Sequence, residues 1–460
     1  MEFKVGSKII VEHPSDEIYK WCYENFVLEN PEYHKRMNMG LWCGNTPREF
    51  ALYEKVGNKL FLPYGAISKV KNRYGDKCPI WSLISPIRRV NYQSNIKPYT
   101  YQEKAIQEAL RAFHGVVVMP CGSGKTQTAL EIISRIGGRC LWLTHTQDLL
   151  NQSFDRARSV LDIALPTYGK ITGGKVNIGS GITFATVQTM AKLDLQQYRD
   201  AWDIVVVDEC HRAIGSPTRV MQFYKVLSNV SCKYKFGLTA TPSRADGLED
   251  SMFALLGDVV CEIDKKEVES TTCPVSVEFY ETDYMPNLSV VLSGDGTINY
   301  SSLVSDMIKD EARFNLVSEV IAEKKSRGAM LVLGNRVEYV KKLSEAFDGN
   351  CLCLSGMGNS KAAKAERKEA LRRLNEGELD CVFATYQLAK EGLDVPNLRT
   401  VVLATPEKDE TTVIQATGRV SRKFDGKDCG LVVDIVDEFG MYAGWAKKRK
   451  KYYKKSNYAF

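Results

Sequence analysis

An α/β architecture with two tandem parallel-sheet domains behind a small N-terminal α+β module is the fold class this 460-residue sequence predicts. Three observations predict it. From Tyr101 onward, apolar runs of four to six residues alternate with helical patterns, as buried parallel strands and crossover helices do. The first run is followed by a Gly-rich loop that opens a helical pattern. The alternation then stops, and a second series of apolar runs begins after an irregular stretch.

Residues 1–95 hold short aromatic and alternating runs, such as Phe50-Ala51-Leu52-Tyr53 and Lys59-Leu60-Phe61-Leu62, punctuated by Gly, Pro and Asn. They predict the α+β module. Residues 96–265 predict the first α/β domain, with strands at 115–119, 139–143, 182–185, 204–207 and 235–238. Residues 266–300, with Pro274, Pro286 and two glycines at 294 and 296, have little periodicity and read as the connection. Residues 301–440 predict the second domain, with strands at 329–333, 351–354, 380–384, 400–403 and 430–435. Residues 441–460 read as a basic tail.

Composition bounds the class. With 44% hydrophobic and 26% charged residues, the chain can bury more than one core. Residues 1–12 contain no apolar leader, and no stretch is apolar enough to span a bilayer, so a cytoplasmic protein without membrane partners is expected. Thirteen cysteines include no CxxC pair, which predicts buried thiols in a reducing compartment and no structural zinc. The net charge is +6, and its distribution is informative. Residues 1–95 carry fourteen Lys and Arg against ten Asp and Glu, and 441–460 carry seven against none. Basic ends on a mildly acidic middle suit nucleic-acid contact. In the tail, Tyr452, Tyr453, Tyr458 and Phe460 interleave the cations, a pattern that suits base stacking. In the module, Lys35, Arg36, Lys71 and Arg73 are the contact candidates, whereas most of Trp21, Tyr23, Trp42, Tyr53 and Phe61 are expected in the module's core.

Two phosphate-handling signatures carry the chemistry. Pro120-Cys121-Gly122-Ser123-Gly124-Lys125-Thr126 stands between an apolar strand and a helical pattern. Its glycines let backbone N–H groups face a phosphate, Lys125 reaches the β and γ phosphates, and Thr126 can ligate Mg²⁺ at a helix N-terminus that favours anions. Cys121, Gly122, Ser123 and Gly124 complete this nucleotide cradle, although Met119 stands where the strict pattern has its first glycine. Asp208 and Glu209 follow the apolar run 204–207: Asp208 would hold Mg²⁺, and Glu209 would orient or deprotonate the attacking water. Far downstream, Gln415-Ala416-Thr417-Gly418-Arg419-Val420-Ser421-Arg422 offers two guanidinium groups to the same phosphates. One ATP held by two domains can convert hydrolysis into movement.

This ordered set resembles the superfamily 2 helicases and translocases over about residues 98–440. Tyr99-Thr100-Tyr101-Gln102 is similar to that family's adenine-reading motif, which would make Gln102 a nucleotide contact. Leu143-Thr144-His145-Thr146 and Thr186-Val187-Gln188-Thr189-Met190 resemble its strand-binding motifs, which implies nucleic-acid contacts at Thr144, His145, Thr186 and Gln188. Leu238-Thr239-Ala240-Thr241-Pro242 is similar to the motif that couples hydrolysis to movement, through Thr239 and Thr241. Thr385 and the run Glu391-Gly392-Leu393-Asp394 resemble a further motif, with Thr385 toward nucleic acid and Gly392 and Asp394 toward the nucleotide. In the last motif the resemblance makes Arg419 and Arg422 arginine fingers and Gln415 a γ-phosphate sensor. It also implies that both large domains are RecA-like.

Within the superfamily, Asp208-Glu209-Cys210-His211 and the short N-terminal module resemble the XPB-like and phage UvsW-like DNA motors. Leu60-Phe61-Leu62-Pro63-Tyr64-Gly65 is similar to the leader of branch-migration helicases of T5-like phages, which would place the protein in a host cytoplasm. The implied activity is ATP- and Mg²⁺-dependent unwinding or branch migration of DNA single strands, forks and junctions, 3′ to 5′, by a monomer, with recombination or replication proteins as partners. An ATP-gated DNA-opening factor without processive travel and an RNA helicase are the alternatives.

Overall fold

The computed structural model describes residues 1–75, 83–120, 122–162, 167–212, 216–240, 249–268, 272–294, 296–356, 358, 360–390 and 395–460. The chain divides into two compact units, the first made of Met1–Pro120 and Gly124–Asp264, the second built on Lys265–Phe460.

The first unit starts with the α+β module. Strands β1 (Glu2–Val5), β2 (Ile9–Glu12), β5 (Glu54–Val56) and β6 (Lys59–Leu62) form an antiparallel sheet, while β3 (Val27–Glu29) pairs with β4 (Glu49–Ala51). Alternation selects the buried face: Phe3, Val5, Ile9, Val11, Leu60 and Leu62 point into the core. The helix Asp16–Phe26 adds Ile18, Cys22 and Phe26 at fourfold spacing. The module is not a separate bead. Its core runs into that of the first large sheet. Tyr64 Oη donates to the Lys233 carbonyl at 2.6 Å, and the fully buried Lys235 ammonium donates to the carbonyls of Leu227 (2.8 Å) and Ser7 (3.3 Å). Burial lowers the Lys235 pKa to about 8. A Cβ on Gly65 would lie 2.4 Å from the Phe253 carbonyl oxygen, so only glycine permits this docking.

The module's aromatics divide differently from the expectation. Trp21 and Tyr53 pack against the core, but Tyr23 is exposed and Trp42 is 85% exposed. The core is filled instead by Phe3, Phe26 and aliphatic side chains from the strands.

A short pair, β7 (Gln93–Ser94) with β10 (Leu161–Asp162), precedes the eight-stranded sheet. That sheet comprises β8 (His114–Val118), β9 (Cys140–Thr144), β11 (Tyr168–Thr172), β12 (Lys175–Asn177), β13 (Ile182–Thr186), β14 (Ile204–Val207), β15 (Tyr234–Thr239) and β16 (Val259–Glu262). Their order is β12-β11-β13-β9-β14-β15-β8-β16, parallel except for β12. All five expected strands are present, shifted by at most a residue or so, and β11, β12 and β16 are additional.

The second unit is a six-stranded parallel sheet of β17 (Val275–Thr282), β18 (Met330–Gly334), β19 (Cys351–Cys353), β20 (Cys381–Thr385), β21 (Thr400–Leu403) and β22 (Gly430–Asp437), ordered β17-β22-β21-β18-β20-β19. The stretch read as a connection therefore contains a strand of this sheet: β17 pairs along its whole length with β22. Residues 441–460 are also not a free tail. The helix Gly440–Lys455 buries Tyr442, Trp445, Ala446, Arg449 and Tyr453. Arg449 forks onto Asp434 at 2.7 to 3.1 Å, and Tyr453 Oη donates to the same carboxylate at 2.7 Å. Beyond it, Ala459 exchanges backbone hydrogen bonds with Val275 and Val277 on β17. Of the tail aromatics expected to stack on bases, Tyr453 is thus core, and Phe460 packs edge-on against Phe279.

No helix among the described residues is long and apolar enough to cross a membrane.

Candidate nucleotide and nucleic-acid site

In the first unit, the candidate residues gather at the C-terminal edge of the parallel sheet, where phosphate loops and ligands are accommodated in open α/β sheets. The loop after β8 leads into the helix Lys125–Ile136, capped by Gly124 at φ +79°. A Cβ there would fall 2.6 Å from Gln102 Nε2, so Gly124 is needed both for its backbone and for the space that Gln102 takes. Met119 is fully buried, and its N–H donates to the Thr239 carbonyl at 2.9 Å. Its place is a core one in the ladder, which explains why a glycine is dispensable at this position. Ser123 is buried, and Thr126 is half-buried on the first turn of the helix. Lys125 Nζ lies 3.3 and 3.4 Å from the carbonyl oxygens of Pro120 and Met119. Gln102 is 2% exposed on the helix Thr100–Ala112, and its Oε1 accepts from the Tyr99 N–H at 3.0 Å. It fixes its own helix start beside the phosphate loop. Cys121 lies outside the described residues.

The carboxylate pair follows the wholly buried β14. Asp208 is 6% exposed; its N–H donates to the Leu143 carbonyl at 2.9 Å, and its Oδ2 accepts from Ser153 Oγ at 3.2 Å. Burial, with the adjacent Glu209 charge, pushes the Asp208 carboxyl up to about 6. Glu209 adopts φ +50°, a left-handed conformation that is costly for a side chain with a Cβ and recurs at functional turns. Its Oε2 lies 3.3 Å from His211 Nδ1, which is 2.9 Å from Thr239 Oγ1. His211 is buried, and it joins the Glu209 carboxylate to the end of β15. Its sequence signal is its position two residues after Glu209 in the run Asp208-Glu209-Cys210-His211. Thr241, the other coupling residue, lies outside the described residues.

Mg²⁺ suits this donor set. An ion that retains waters and phosphate oxygens requires few protein ligands, and the Asp208 carboxylate and the Thr126 hydroxyl are both offered at this edge. A buried carboxylate with a raised pKa gains most from such a cation.

The turns after β9 and β13 share this edge. Thr144 is fully buried, and its Oγ1 donates to the Thr146 carbonyl at 2.9 Å. Thr146 caps the helix Gln147–Val160, accepting from the Leu149 N–H at 3.3 Å. Thr186 caps Val187–Met190 and shares a 2.8 Å hydrogen bond with Thr189 Oγ1, while Gln188 Nε2 donates to the His145 carbonyl at 3.1 Å. The hydroxyls of Thr144 and Thr186 thus shape the turns. His145 and Gln188 are the more exposed of the four.

In the module, Lys35 and Arg36 lie on the helix Pro31–Asn38, and Lys71 and Arg73 on the helix Ile67–Tyr74. Lys35 and Lys71 are exposed; Arg36 bonds Glu32 and the Trp42 carbonyl, and Arg73 pairs with Glu17.

In the second unit, Thr385 ends β20, its N–H donating to Ser355 Oγ at 2.8 Å. Gln415 is on the helix Glu410–Thr417, Arg419 is in the following turn, and Arg422 forms a bridge with Thr272; all three are half-buried. Lys427, which donates to the Arg422 carbonyl at 3.0 Å, is lowered to about 8, chiefly by burial. Gly392 and Asp394 lie outside the described residues.

Two family models match the chain: "Type III restriction enzyme, res subunit" over residues 95–244, and "Helicase conserved C-terminal domain" over residues 312–423. A putative ATP-dependent RNA helicase of Acanthamoeba polyphaga mimivirus is 26% identical over 421 residues, covering 89% of this chain and 77% of its own. The DNA 3'-5' translocase XPB2 of Sulfurisphaera tokodaii is 25% identical over 374 residues, covering 73% and 80%. The ATP-dependent DNA helicase uvsW of Enterobacteria phage T4 is 22% identical over 466 residues, covering 93% and 88%.

Proposed function

We propose a DNA-directed motor role for this chain, which is a superfamily 2 nucleic-acid helicase related to the XPB-like and UvsW-like enzymes and carries their two RecA-like ATPase domains. One observation carries the reading. The phosphate loop, the Asp208–Glu209 turn and the turns after β9 and β13 project from the same edge of one sheet, so nucleotide and strand would act on adjacent loops of a single rigid element.

In this reading Lys125 and the loop N–H groups hold the phosphates, while Thr126 and Asp208 hold Mg²⁺. Bound Mg²⁺ supplies charge neutralisation at the β and γ oxygens. Glu209, oriented by His211, aligns the attacking water and takes up its proton. Gln102 contacts the base. Arg419 and Arg422 would act on the phosphates, with Gln415 sensing the γ-phosphate, and Gly392 and Asp394 would complete the nucleotide contacts. His145, Gln188 and Thr385 would hold a strand through its backbone, without reading sequence. Thr239 would relay hydrolysis to the strand loops.

The proposed substrate is branched DNA, engaged 3′ to 5′. Its support is the names of two relatives and the exposed lysines of the module. An RNA helicase is the second reading, favoured by the mimivirus relative. ATP turnover measured with single strands, duplexes, forks and four-way junctions of DNA and of RNA decides between them. Stimulation by RNA alone would refute the DNA assignment, and equal stimulation by forks and single strands would refute the branched one.

A further inference from the structure

We propose that Ser153 is a positioning residue that transmits strand engagement at the turn 144–146 to the metal-holding carboxylate of Asp208. The inference deepens the motor reading and rests on it.

The helix Gln147–Val160 buries one stripe, Leu150, Ser153 and Ala157, against the sheet. Two of the three are apolar, as the spacing requires. A hydroxyl in such a stripe is unfavourable unless it is bonded, and Ser153, 4% exposed, has one bond of consequence: Oγ donates to Asp208 Oδ2 at 3.2 Å. The acceptor belongs to a different strand end, 55 positions along the chain, and is the carboxylate that the motor reading assigns to the metal.

The other end of this helix is the strand-facing turn. Thr144 Oγ1 and Gln188 Nε2 hold the Thr146 and His145 carbonyls, and Thr146 caps the helix. Ser153 therefore stands two helical turns from the loop that would grip a phosphodiester. A helix of this length moves as a unit, more so because Phe154 is wedged against Tyr168 and Phe184 at ring separations of 5.8 and 5.4 Å. A shift of the turn on binding a strand is carried to Ser153, and a small change in a charge-assisted hydrogen bond re-aims the carboxylate. The strand thereby sets the geometry of the metal site from within the first unit.

ATP turnover is measured for the full chain and for Ser153→Ala and Ser153→Thr across a Mg²⁺ titration, with and without saturating single-stranded DNA. The expected result for Ser153→Ala is a stimulation ratio lowered roughly ten- to a hundredfold, the size expected for losing one hydrogen bond to a charged group. The Mg²⁺ concentration giving half-maximal stimulated turnover rises, and Ser153→Thr, which keeps the hydroxyl, restores both. Thermal midpoints verify that each variant is folded. A Ser153→Ala protein whose stimulation ratio and Mg²⁺ midpoint stay within about twofold of the parent overturns the proposal. So does an equal loss with and without DNA that Ser153→Thr fails to restore, which would make Ser153 a packing residue. A parent chain that no nucleic acid stimulates would instead overturn the motor reading.

Discussion

Arg449 is the position where a basic-tail reading and the tertiary structure give opposite results. Its guanidinium is 1% exposed, forks onto the fully buried Asp434, and also donates to the carbonyls of Glu407 (3.1 Å) and Ile435 (3.3 Å). Arg449→Ala would strand Asp434 in the core with only Tyr453 as a donor. Removing one partner of a buried ion pair costs about 3–5 kcal/mol. With a urea dependence of about 2 kcal/mol per molar, the unfolding midpoint of the second unit should fall by roughly 2 M. The assay is urea unfolding followed by circular dichroism, paired with DNA binding at two salt concentrations under conditions where the variant is folded. The reasoning expects the salt slope of binding to be unchanged. If Arg449→Ala unfolds within about 0.5 M urea of the parent and flattens the salt slope by about 0.7–0.9, Arg449 is a phosphate contact and the buried pair is misread. A double replacement, Arg449→Met with Asp434→Leu, should recover most of the loss, because no uncompensated charge remains.

Five further outcomes are expected. Lys125→Ala and Glu209→Gln should each abolish turnover with the fold intact, and Glu209→Gln should still bind ATP; near-normal turnover in Glu209→Gln would move the water role elsewhere. Arg419→Ala should slow single turnover far more than it weakens ATP affinity; the reverse pattern would make it a binding residue only. The raised Asp208 pKa leaves its carboxyl protonated below about pH 6 unless a cation displaces the proton, so at low Mg²⁺ concentration turnover should fall there, and higher Mg²⁺ should move that limb to lower pH; a limb indifferent to Mg²⁺ would refute this origin. For stability the sign is opposite: the folded state holds this proton more tightly than the unfolded chain, so Asp208 contributes stability that fades as pH rises from about 4 to about 6, which replacement by Asn should remove. Lys35→Glu with Lys71→Glu should lower the salt slope of fork binding, and this is preferable to deleting residues 1–95, which would bare Lys235 and the Phe253 carbonyl against which Ser7 and Gly65 dock.

The parallel strands β8, β9, β13, β14 and β15 were legible because, buried on both faces, each is a continuous apolar run that local sequence reveals unaided. The phosphate loop and the Asp208–Glu209 pair were legible for a related reason: their chemistry requires particular residue types at fixed short spacing. Strand β17 was not, because its one short alternating run, Val-Ser-Val-Glu-Phe-Tyr, stands between prolines in an otherwise aperiodic stretch, and its partner β22 lies far along the chain. Nor were the contact of His211 with Thr239 or the bond from Ser153 to Asp208, since each joins residues that only the sheet brings together. The C-terminal segment shows the limit most plainly. Its seven cations and six aromatics are visible in the sequence, but sequence does not say which of them faces solvent. That Arg449 and Tyr453 turn inward is decided by Asp434 on β22, because a buried carboxylate is stable only when donors surround it, and those donors come from a helix that reaches it through the fold.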